Sequence, residues 1–276
     1  MVLAIGDETG KIFEQVSIPT ESPDITMPKI IEYFKERKVE SLGVACFGPV
    51  CLNKDDAKYG YITSTPKLLW RDYNIVGVLK DALGVPIGFD TDVNGSCLGE
   101  ATYGAAKGLK NVVYLTIGTG IGAGEMVDGK LLHGNLHPEA GHMPMRRHPE
   151  DKYEGKCPYH KDCFEGLAAG PAIEARWGKS AKELSEKKEV WDMEAYYIAE
   201  ALVTYILTLA PEKIILGGGV MHQTQLFPII RKYVKDMVNG YVNTREMNDC
   251  DNYIVPAGLN DDQGIIGCLV LGREAM

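Results

Sequence analysis

The chain has 276 residues, a length that suits one large domain or two domains of medium size. Its composition, with 45% hydrophobic and 24% charged residues, excludes a disordered or collagen-like chain. The formal net charge of -9 provides no overall positive field, which argues against nucleic acid and anionic membranes as partners but leaves a nucleotide bound with a cation open.

The first part of the chain predicts a hairpin followed by units of strand and helix. Residues 2–18 alternate between apolar and polar positions around a Gly-containing turn, which indicates the hairpin. A helix follows, with Asp24 or Thr26 as its expected cap, and SLGVACFG then predicts a buried strand. The strand VPIGFDTD leads directly into a second helix that starts near Asn94.

The second part repeats this alternation. The strand VVYLTI is followed by a glycine-rich loop and an irregular region to about Gly170. A helix from about Glu194 to Leu209 precedes the strand KIILGGG and a further helix. Because strands alternate with helices, the predicted fold class is α/β with largely parallel sheets.

Two domains are predicted from these two halves. The halves join near residues 104–108, and the last apolar helix, from Asp262 to Leu271, is expected to pack back on the first half. The predicted N-terminal domain therefore comprises residues 1–104 and 258–276, and the C-terminal domain comprises residues 105–257.

The most specific motif is a group of histidines and cysteines, His142, Cys157, His160 and Cys163. Two thiolates and two imidazoles at this spacing are a typical ligand set for tetrahedral zinc. Pro158 disfavours a regular helix and leaves a short loop that can surround a metal. Four protein ligands leave no position for water, so the predicted zinc is structural; the alternative is a polar loop with free cysteines.

Two glycine-rich segments are candidates for phosphate binding. Gly118 to Gly124, GTGIGAG, would let backbone N–H groups approach a phosphate, and the Thr119 hydroxyl adds a donor. The segment does not match the dinucleotide fingerprint, and a tight hairpin turn is its alternative interpretation. LGGGV at 216–220 follows a strand and precedes a helix, as nucleotide-binding segments do.

Three carboxylates are candidates for chemistry or binding. Asp90 and Asp92 end a strand, where a carboxylate can accept a proton from a substrate hydroxyl, although one of them is expected to cap the next helix. We assign Asp90 to structure and Asp92 to chemistry. Glu139, three residues before His142, would be held by the metal site and suits hydrogen bonding to sugar hydroxyls; the alternative is a solvated loop acid.

Taken in order, FDTDVNGSCLGE, LTIGTGIGAG, HPEAGHMPMRRHPEDKYEGKCPYHKDC and IILGGGVM resemble the ROK family of sugar kinases, and within it the zinc-containing bacterial fructokinases. The resemblance covers nearly the whole chain. It implies the two-domain actin-like, ribonuclease-H-type ATPase fold, in which ATP and sugar meet in an interdomain cleft.

The resemblance also implies a role for each matching residue. Asp92 would be the general base, with Glu139, Glu165 and Asn94 at the sugar and the same four zinc ligands. ACFGPV and TPKLLWRDY would line the sugar side. The residues implied at the ATP phosphates and the nucleotide are Gly118, Thr119, Gly120, Gly217, Gly218 and Gly219.

Two positions depart from the pattern of the wider family. Thr91 stands where that family has Asn, although the fructokinase-like branch resembles this chain there. Met1 lies inside the first hairpin, so a preceding strand and a phosphate loop of the Gly-Gly-Thr-Lys type are expected to be missing. The two interpretations are a misplaced start site and a relative with impaired kinase activity.

The predicted function is Mg²⁺-dependent phosphorylation of a hexose by ATP, with fructose as the first candidate and fructose 6-phosphate as its product. The alternatives are a kinase for glucose or mannose and a catalytically impaired sugar-binding or regulatory relative. No signal peptide or membrane span is predicted, and seven scattered cysteines do not suggest a disulfide framework. A cytoplasmic location and a homodimer are expected.

Overall fold

The computed structural model describes residues 1–276, which form two compact units. The first unit comprises residues 1–107, 131–138 and 262–276, and the second comprises residues 108–130 and 139–261. Residues 131–138 therefore lie in the first unit, whereas the sequence predicts them in the C-terminal domain.

The elements follow in chain order. The strands are β1 (Val2–Gly6), β2 (Ile12–Ser17), β3 (Leu42–Cys46), β4 (Tyr61–Ile62), β5 (Tyr73–Asn74), β6 (Ile87–Thr91), β7 (Val112–Ile117), β8 (Ile121–Val127), β9 (Lys130–Leu131), β10 (Lys213–Gly217) and β11 (Ile254–Pro256). The helices are α1 (Pro23–Arg37), α2 (Ile75–Leu83), α3 (Asp92–Tyr103), α4 (Phe164–Ala168), α5 (Gly170–Trp177), α6 (Lys188–Leu209), α7 (Leu226–Val238), α8 (Arg245–Asn248), α9 (Cys250–Tyr253) and α10 (Gln263–Glu274).

In the first unit, α10 packs directly on α3 and on the strand pair β3 and β6, which is parallel. Glycines permit this close approach: a Cβ atom at Gly43 would lie 1.7 Å from the Cys268 carbonyl oxygen, and one at Gly267 would lie 1.8 Å from the Gly95 carbonyl oxygen. The predicted hairpin is confirmed as the antiparallel pair of β1 and β2. The predicted cap of α1 is wrong, because the helix begins at Pro23, ahead of Asp24 and Thr26.

In the second unit, five strands form one sheet in the order β11, β10, β7, β8, β9. β10 is parallel to β7 and β11, but β7 and β8 are antiparallel, so the prediction of largely parallel pairing is wrong at that position. Helix α6 begins at Lys188, ahead of the predicted Glu194, and it packs on α7 over a core that includes Trp191 and Tyr197. None of the helices combines the length and apolar character needed to cross a membrane.

Candidate active site

The carboxyl end of β6 carries two aspartates in different surroundings. The Thr91 hydroxyl accepts a hydrogen bond from the Asn94 N–H at 3.1 Å and so caps α3, a role that the sequence predicts for one of the aspartates. Asp90 is 3% exposed, and its Oδ1 accepts hydrogen bonds from the Thr91 N–H at 2.8 Å and from Asn94 Nδ2 at 2.7 Å. Asp92 is the first residue of α3 and is exposed, so it is the carboxylate that a substrate can reach.

The surroundings of Asp92 favour a proton acceptor. Desolvation by the protein raises the pKa of its carboxyl above the ordinary value, and the hydrogen bond from the Val93 N–H and the charge of Lys67 oppose that shift. Lys67 Nζ lies 3.7 Å from the centroid of the Phe47 ring. Phe47 and Lys67 belong to the two segments that the resemblance places on the sugar side, so this part of the first unit offers both a base and a cation.

Two histidines that sequence reasoning missed reach the same unit from residues 131–138. His133 Nε2 lies 2.9 Å from Asp90 Oδ2, and this hydrogen bond raises the pKa of His133. His137 is buried, and its Nε2 accepts a hydrogen bond from the Val50 N–H at 3.1 Å. Asn94, predicted to bind sugar, is only 1% exposed and directs its amide at Asp90. We call Asp90, Asn94 and His133 the aspartate cluster.

The predicted phosphate loop is a three-residue hairpin turn. Gly118 to Gly120 join β7 to β8, and Ile117 pairs with Ile121 across the turn. The observed loop is therefore shorter than the predicted segment GTGIGAG, whose last four residues, Ile121–Gly124, belong to β8. The tight-turn interpretation therefore holds, while the exposed Thr119 at its centre keeps the hydroxyl accessible. The Gly170 N–H donates to the Gly118 carbonyl oxygen at 2.7 Å, which brings the first turn of α5 beside the hairpin.

The second glycine segment meets the same turn. Gly217 ends β10. Gly218 has a φ of +88°, and a Cβ atom on Gly218 would lie 2.5 Å from the Ile117 carbonyl oxygen, so only glycine fits at position 218. Gly219 is exposed and opens a 3-10 turn, and its N–H nitrogen would lie 3.7 Å from a Cβ atom at Gly118. We call these three residues, Gly118, Gly170 and Gly219, the glycine cradle. Their backbone atoms lie beside the amino end of α5 without side chains, an arrangement suited to phosphate.

A pocket of about 810 Å³ opens next to this 3-10 turn. Gln223 and Gln225, which directly follow the turn, line it together with residues from the start of α6, including Lys188 and Asp192. Its size is within the range of small-molecule sites, and its lining mixes amide, charged and apolar groups.

Glu165 supports the hairpin turn. Its Oε2 accepts a hydrogen bond from the Ile121 N–H at 3.0 Å, and a Cβ atom at Gly120 would lie 2.7 Å from this oxygen. A carboxylate that the sequence resemblance assigns to sugar is therefore also hydrogen-bonded to the turn that is predicted to bind phosphate. One of its two oxygens remains for a second partner.

Glu139 is exposed and precedes the 3-10 turn 140–142 that ends at His142, so its backbone is tied to the metal ligands. A second carboxyl, which the sequence did not reveal, lies near it. Burial raises the pKa of Glu125 to about 8, and the charge of Glu139 adds to this shift. Glu125 is therefore largely neutral at pH 7, so it does not repel the charge of Glu139.

The four residues predicted to bind zinc come together. All four ligand atoms lie within 4.8 Å of one another, with His142 Nδ1 at 3.7 Å from Cys157 Sγ and at 3.5 Å from Cys163 Sγ. His160 Nδ1 lies 3.8 Å from Cys157 Sγ. Tetrahedral zinc at about 2.3 Å from sulfur and about 2.0 Å from nitrogen separates its ligand atoms by roughly 3.3–3.8 Å, so the donor set fits the metal.

A buried ion pair holds residues 142–163, which contain the four predicted zinc ligands and which we call the zinc loop. Asp151 accepts hydrogen bonds from Arg176 Nη2 at 2.9 Å and from the Tyr197 hydroxyl at 2.6 Å. Burial alone would raise the pKa of Asp151, but the hydrogen bonds from Tyr197 and Tyr153 and the charge of Arg176 outweigh it and lower the pKa. The loop is therefore fastened to α5 and α6 as well as to its metal ligands.

Comparison with known proteins identifies the family of the chain. The ROK family model matches residues 1–275. A relative from Bacillus subtilis (strain 168) is 53% identical over 276 residues, which cover 100% of this chain and 92% of the relative. A fructokinase from Pediococcus pentosaceus is 45% identical over 275 residues, which cover 100% of this chain and 94% of that fructokinase.

Among solved structures, a ROK family glucokinase from Streptomyces griseus in complex with glucose and AMPPNP matches with a TM-score of 0.73 at 22% identity, covering 98% of this chain and 95% of the glucokinase. This likeness confirms the predicted α/β fold of the two-domain actin-like ATPases.

Proposed function

Because the chain belongs to the ROK family, we propose that it is a hexose kinase that transfers the γ-phosphoryl group of ATP to fructose and forms fructose 6-phosphate. The observation that carries this proposal is the accessible Asp92 carboxylate at the end of β6, next to an Asp90 that is buried and fully engaged. A relative that is 45% identical to this chain is named fructokinase, which favours fructose over other hexoses.

Asp92 acts as the general base. Its carboxylate accepts the proton of the sugar hydroxyl while the hydroxyl oxygen bonds to the γ-phosphorus and the bond to the ADP oxygen breaks. The raised pKa of Asp92 improves the match between base and hydroxyl. Glu139 and the free oxygen of Glu165 are the proposed acceptors for sugar hydroxyls.

The glycine cradle is the proposed phosphate site. The Gly219 N–H and the Thr119 hydroxyl are the proposed donors, because the N–H groups of Gly118 and Gly170 already donate to the carbonyl oxygens of Gly120 and Gly118. Gly217 to Gly219 bring the backbone to the nucleotide. The pocket lined by Gln223 and Gln225 is the proposed place of the nucleotide base. A bound Mg²⁺ supplies positive charge to the ATP phosphates.

The zinc is proposed to be structural. Four protein ligands complete a tetrahedral shell, so the ion has no open position for water or substrate. Its ligands instead flank the proposed sugar contacts: His142 follows Glu139, and Cys163 precedes Glu165. The predicted cytoplasmic location and homodimer stay predictions.

Steady-state release of ADP with fructose, glucose and mannose tests the function. Replacing Asp92 by Asn should lower kcat by roughly 10²- to 10⁴-fold, the usual contribution of general-base catalysis, with an unchanged melting temperature. Asp81→Asn, at an exposed position on α2 of the same unit, is the matched control and should keep wild-type kcat. Wild-type turnover by Asp92→Asn would rule out the assigned base, and a wild-type chain inactive on all three sugars would rule out the kinase.

A further inference from the structure

His133 has one ring nitrogen that is fixed and one that is free. Nε2 lies 2.9 Å from Asp90 Oδ2, and because a carboxylate accepts hydrogen bonds, Nε2 carries the proton. Asn94 Nδ2, at 3.4 Å from Nε2, already donates to Asp90, so this second approach is a packing contact between two donors. Asp90 therefore fixes both the orientation of the imidazole and its protonated nitrogen.

Within the aspartate cluster, only His133 offers a polar atom to a ligand. The side chain of Asp90 is 4% exposed and three donors converge on it, while Asn94 is buried. The His133 side chain is 38% exposed, and its Nδ1 makes no hydrogen bond. The cluster lies at the strand end from which Asp92 begins α3, so this free nitrogen belongs to the neighbourhood of the proposed base.

We propose that His133 is a substrate-binding residue, whose Nδ1–H donates a hydrogen bond to an oxygen atom of the sugar. The inference rests on the proposed hexose kinase activity. Asp90 and Asn94 act as positioning residues that hold the imidazole and do not touch the sugar. The buried amide of Asn94 donates a hydrogen bond to Asp90 and thereby holds the carboxylate that orients His133.

The charge state of the ring gives the binding a pH dependence. Asp90 is the charged group facing His133 from β6, α3 contributes the neutral Asn94, and His137 is the other titratable group on the same segment. The hydrogen bond to Asp90 raises the pKa of His133, with burial opposing it. Since Nδ1 carries a proton only in the charged ring, the KM for sugar should rise as the pH rises through this raised pKa.

Two isosteres separate the roles of the two nitrogens. The amide nitrogen of Asn takes the place of Nδ1, and that of Gln takes the place of Nε2. His133→Asn therefore keeps a donor for the sugar and loses the bond to Asp90, whereas His133→Gln keeps that bond and loses the donor. The KM values for fructose and ATP, kcat and the melting temperature are measured between about pH 6 and pH 9, which brackets the ordinary titration range of histidine.

We expect His133→Gln to raise the KM for fructose on the order of tenfold, the effect of about 1.4 kcal/mol, with an unchanged KM for ATP. His133→Asn should raise it less, and neither variant should keep the pH dependence of the wild-type KM. Asn135→Ala, an exposed change on the same segment, is the control and should behave as wild type.

Three results would overturn the inference. A wild-type KM and pH profile in His133→Gln would show that His133 serves only its bond to Asp90. Variants that both match wild type, in a preparation that phosphorylates fructose, would remove His133 from the site and leave the kinase intact. A wild-type chain without activity on any hexose would instead reject the proposed function and this inference together.

Discussion

The aspartate cluster of the first unit and the second unit's glycine cradle and zinc loop are built by different means. In the cluster, side chains position other side chains: Asn94 and His133 converge on Asp90, and Thr91 caps the helix that Asp92 begins. In the second unit, backbone atoms form the cradle, and a buried ion pair and four predicted zinc ligands hold the loop.

This difference predicts where substitutions act. A hydrogen bond between side chains contributes about 1 kcal/mol, so single changes in the first unit should alter catalysis or sugar binding while the fold persists. Gly218, beside the cradle, has no room for a Cβ atom, and a loop that depends on a metal ion loses its order as a whole when the metal is lost. Changes in the second unit should therefore have larger effects on stability.

The largest effect is expected at the zinc loop. In the double variant Cys157→Ser, Cys163→Ser, two of the four ligands are lost, and with them metal binding that contributes on the order of 10 kcal/mol to order in such sites. Zinc content should fall from about one per chain to none, and amide exchange should accelerate across residues 142–163. Cys51→Ser, outside the cluster, should change neither quantity. Unchanged zinc content and exchange in the double variant would contradict a structural zinc site.

The buried ion pair comes next. Asp151→Ala leaves the Arg176 guanidinium, whose side chain is only 7% exposed, without its partner and should lower the free energy of unfolding by about 3–5 kcal/mol in denaturant titrations. Asp236→Ala, which removes the exposed pair with Lys232 on α7, is the control and should leave the free energy of unfolding nearly unchanged, because solvent screens that pair.

The same pair has a defined pH dependence. Because the pKa of Asp151 is lowered in the fold, its contribution to stability is complete above the ordinary carboxyl pKa and is lost as the pH falls through the lowered value. The wild-type chain should therefore lose more stability in acid than Asp151→Ala does. Parallel pH curves for the two proteins would show that Asp151 does not titrate in this way.

Much of the fold could be predicted from local sequence patterns, and the errors in the predicted elements have local causes. Apolar runs bounded by glycine identified β7 and β10. The start of β8, Ile121 to Gly124, is rich in glycine and has no alternating polar pattern, so only its pairing with β7 makes it a strand. Helix α6 starts without a side-chain cap, which removes the signal that would have placed its first turn at Lys188.

The candidate site likewise contains residues that the sequence predicts and residue pairs that it does not. The four residues predicted to bind zinc lie close in sequence and carry a characteristic spacing, so their convergence could be predicted. His133 and Asp90 are 43 residues apart, and Asp151 and Arg176 are 25 apart, so neither pair has a local pattern. Tertiary packing brings the members of each pair into contact, and a single sequence does not give the distance between them in the fold.

Two neighbouring glycines, Gly218 beside the cradle and Gly219 within it, are expected to differ in their effects on stability and on ligand binding. Gly218→Ala forces a Cβ atom onto a residue with φ of +88° and towards the Ile117 carbonyl oxygen, and it should destabilise the chain by about 1–3 kcal/mol. At Gly219 no atom lies within 4 Å of a Cβ atom, so Gly219→Ala should keep the melting temperature but narrow the proposed phosphate site. Its KM for ATP should rise on the order of tenfold while the KM for fructose stays constant. An unchanged KM for ATP in a stable Gly219→Ala chain would remove Gly219 from the site.

The smallest effect is expected at the cap of α3. Thr91→Ala leaves the Asn94 N–H without its acceptor and should lower the free energy of unfolding by about 1 kcal/mol, whereas Thr91→Ser keeps the hydroxyl and should restore most of it. Asp92 is the first residue of this helix, so fraying should also reduce kcat, again with recovery in Thr91→Ser. Equal stability of the Ala and Ser variants would contradict the cap. Recovery of stability without recovery of kcat would show that the first turn of α3 does not position the proposed base, since both effects otherwise depend on the same hydroxyl.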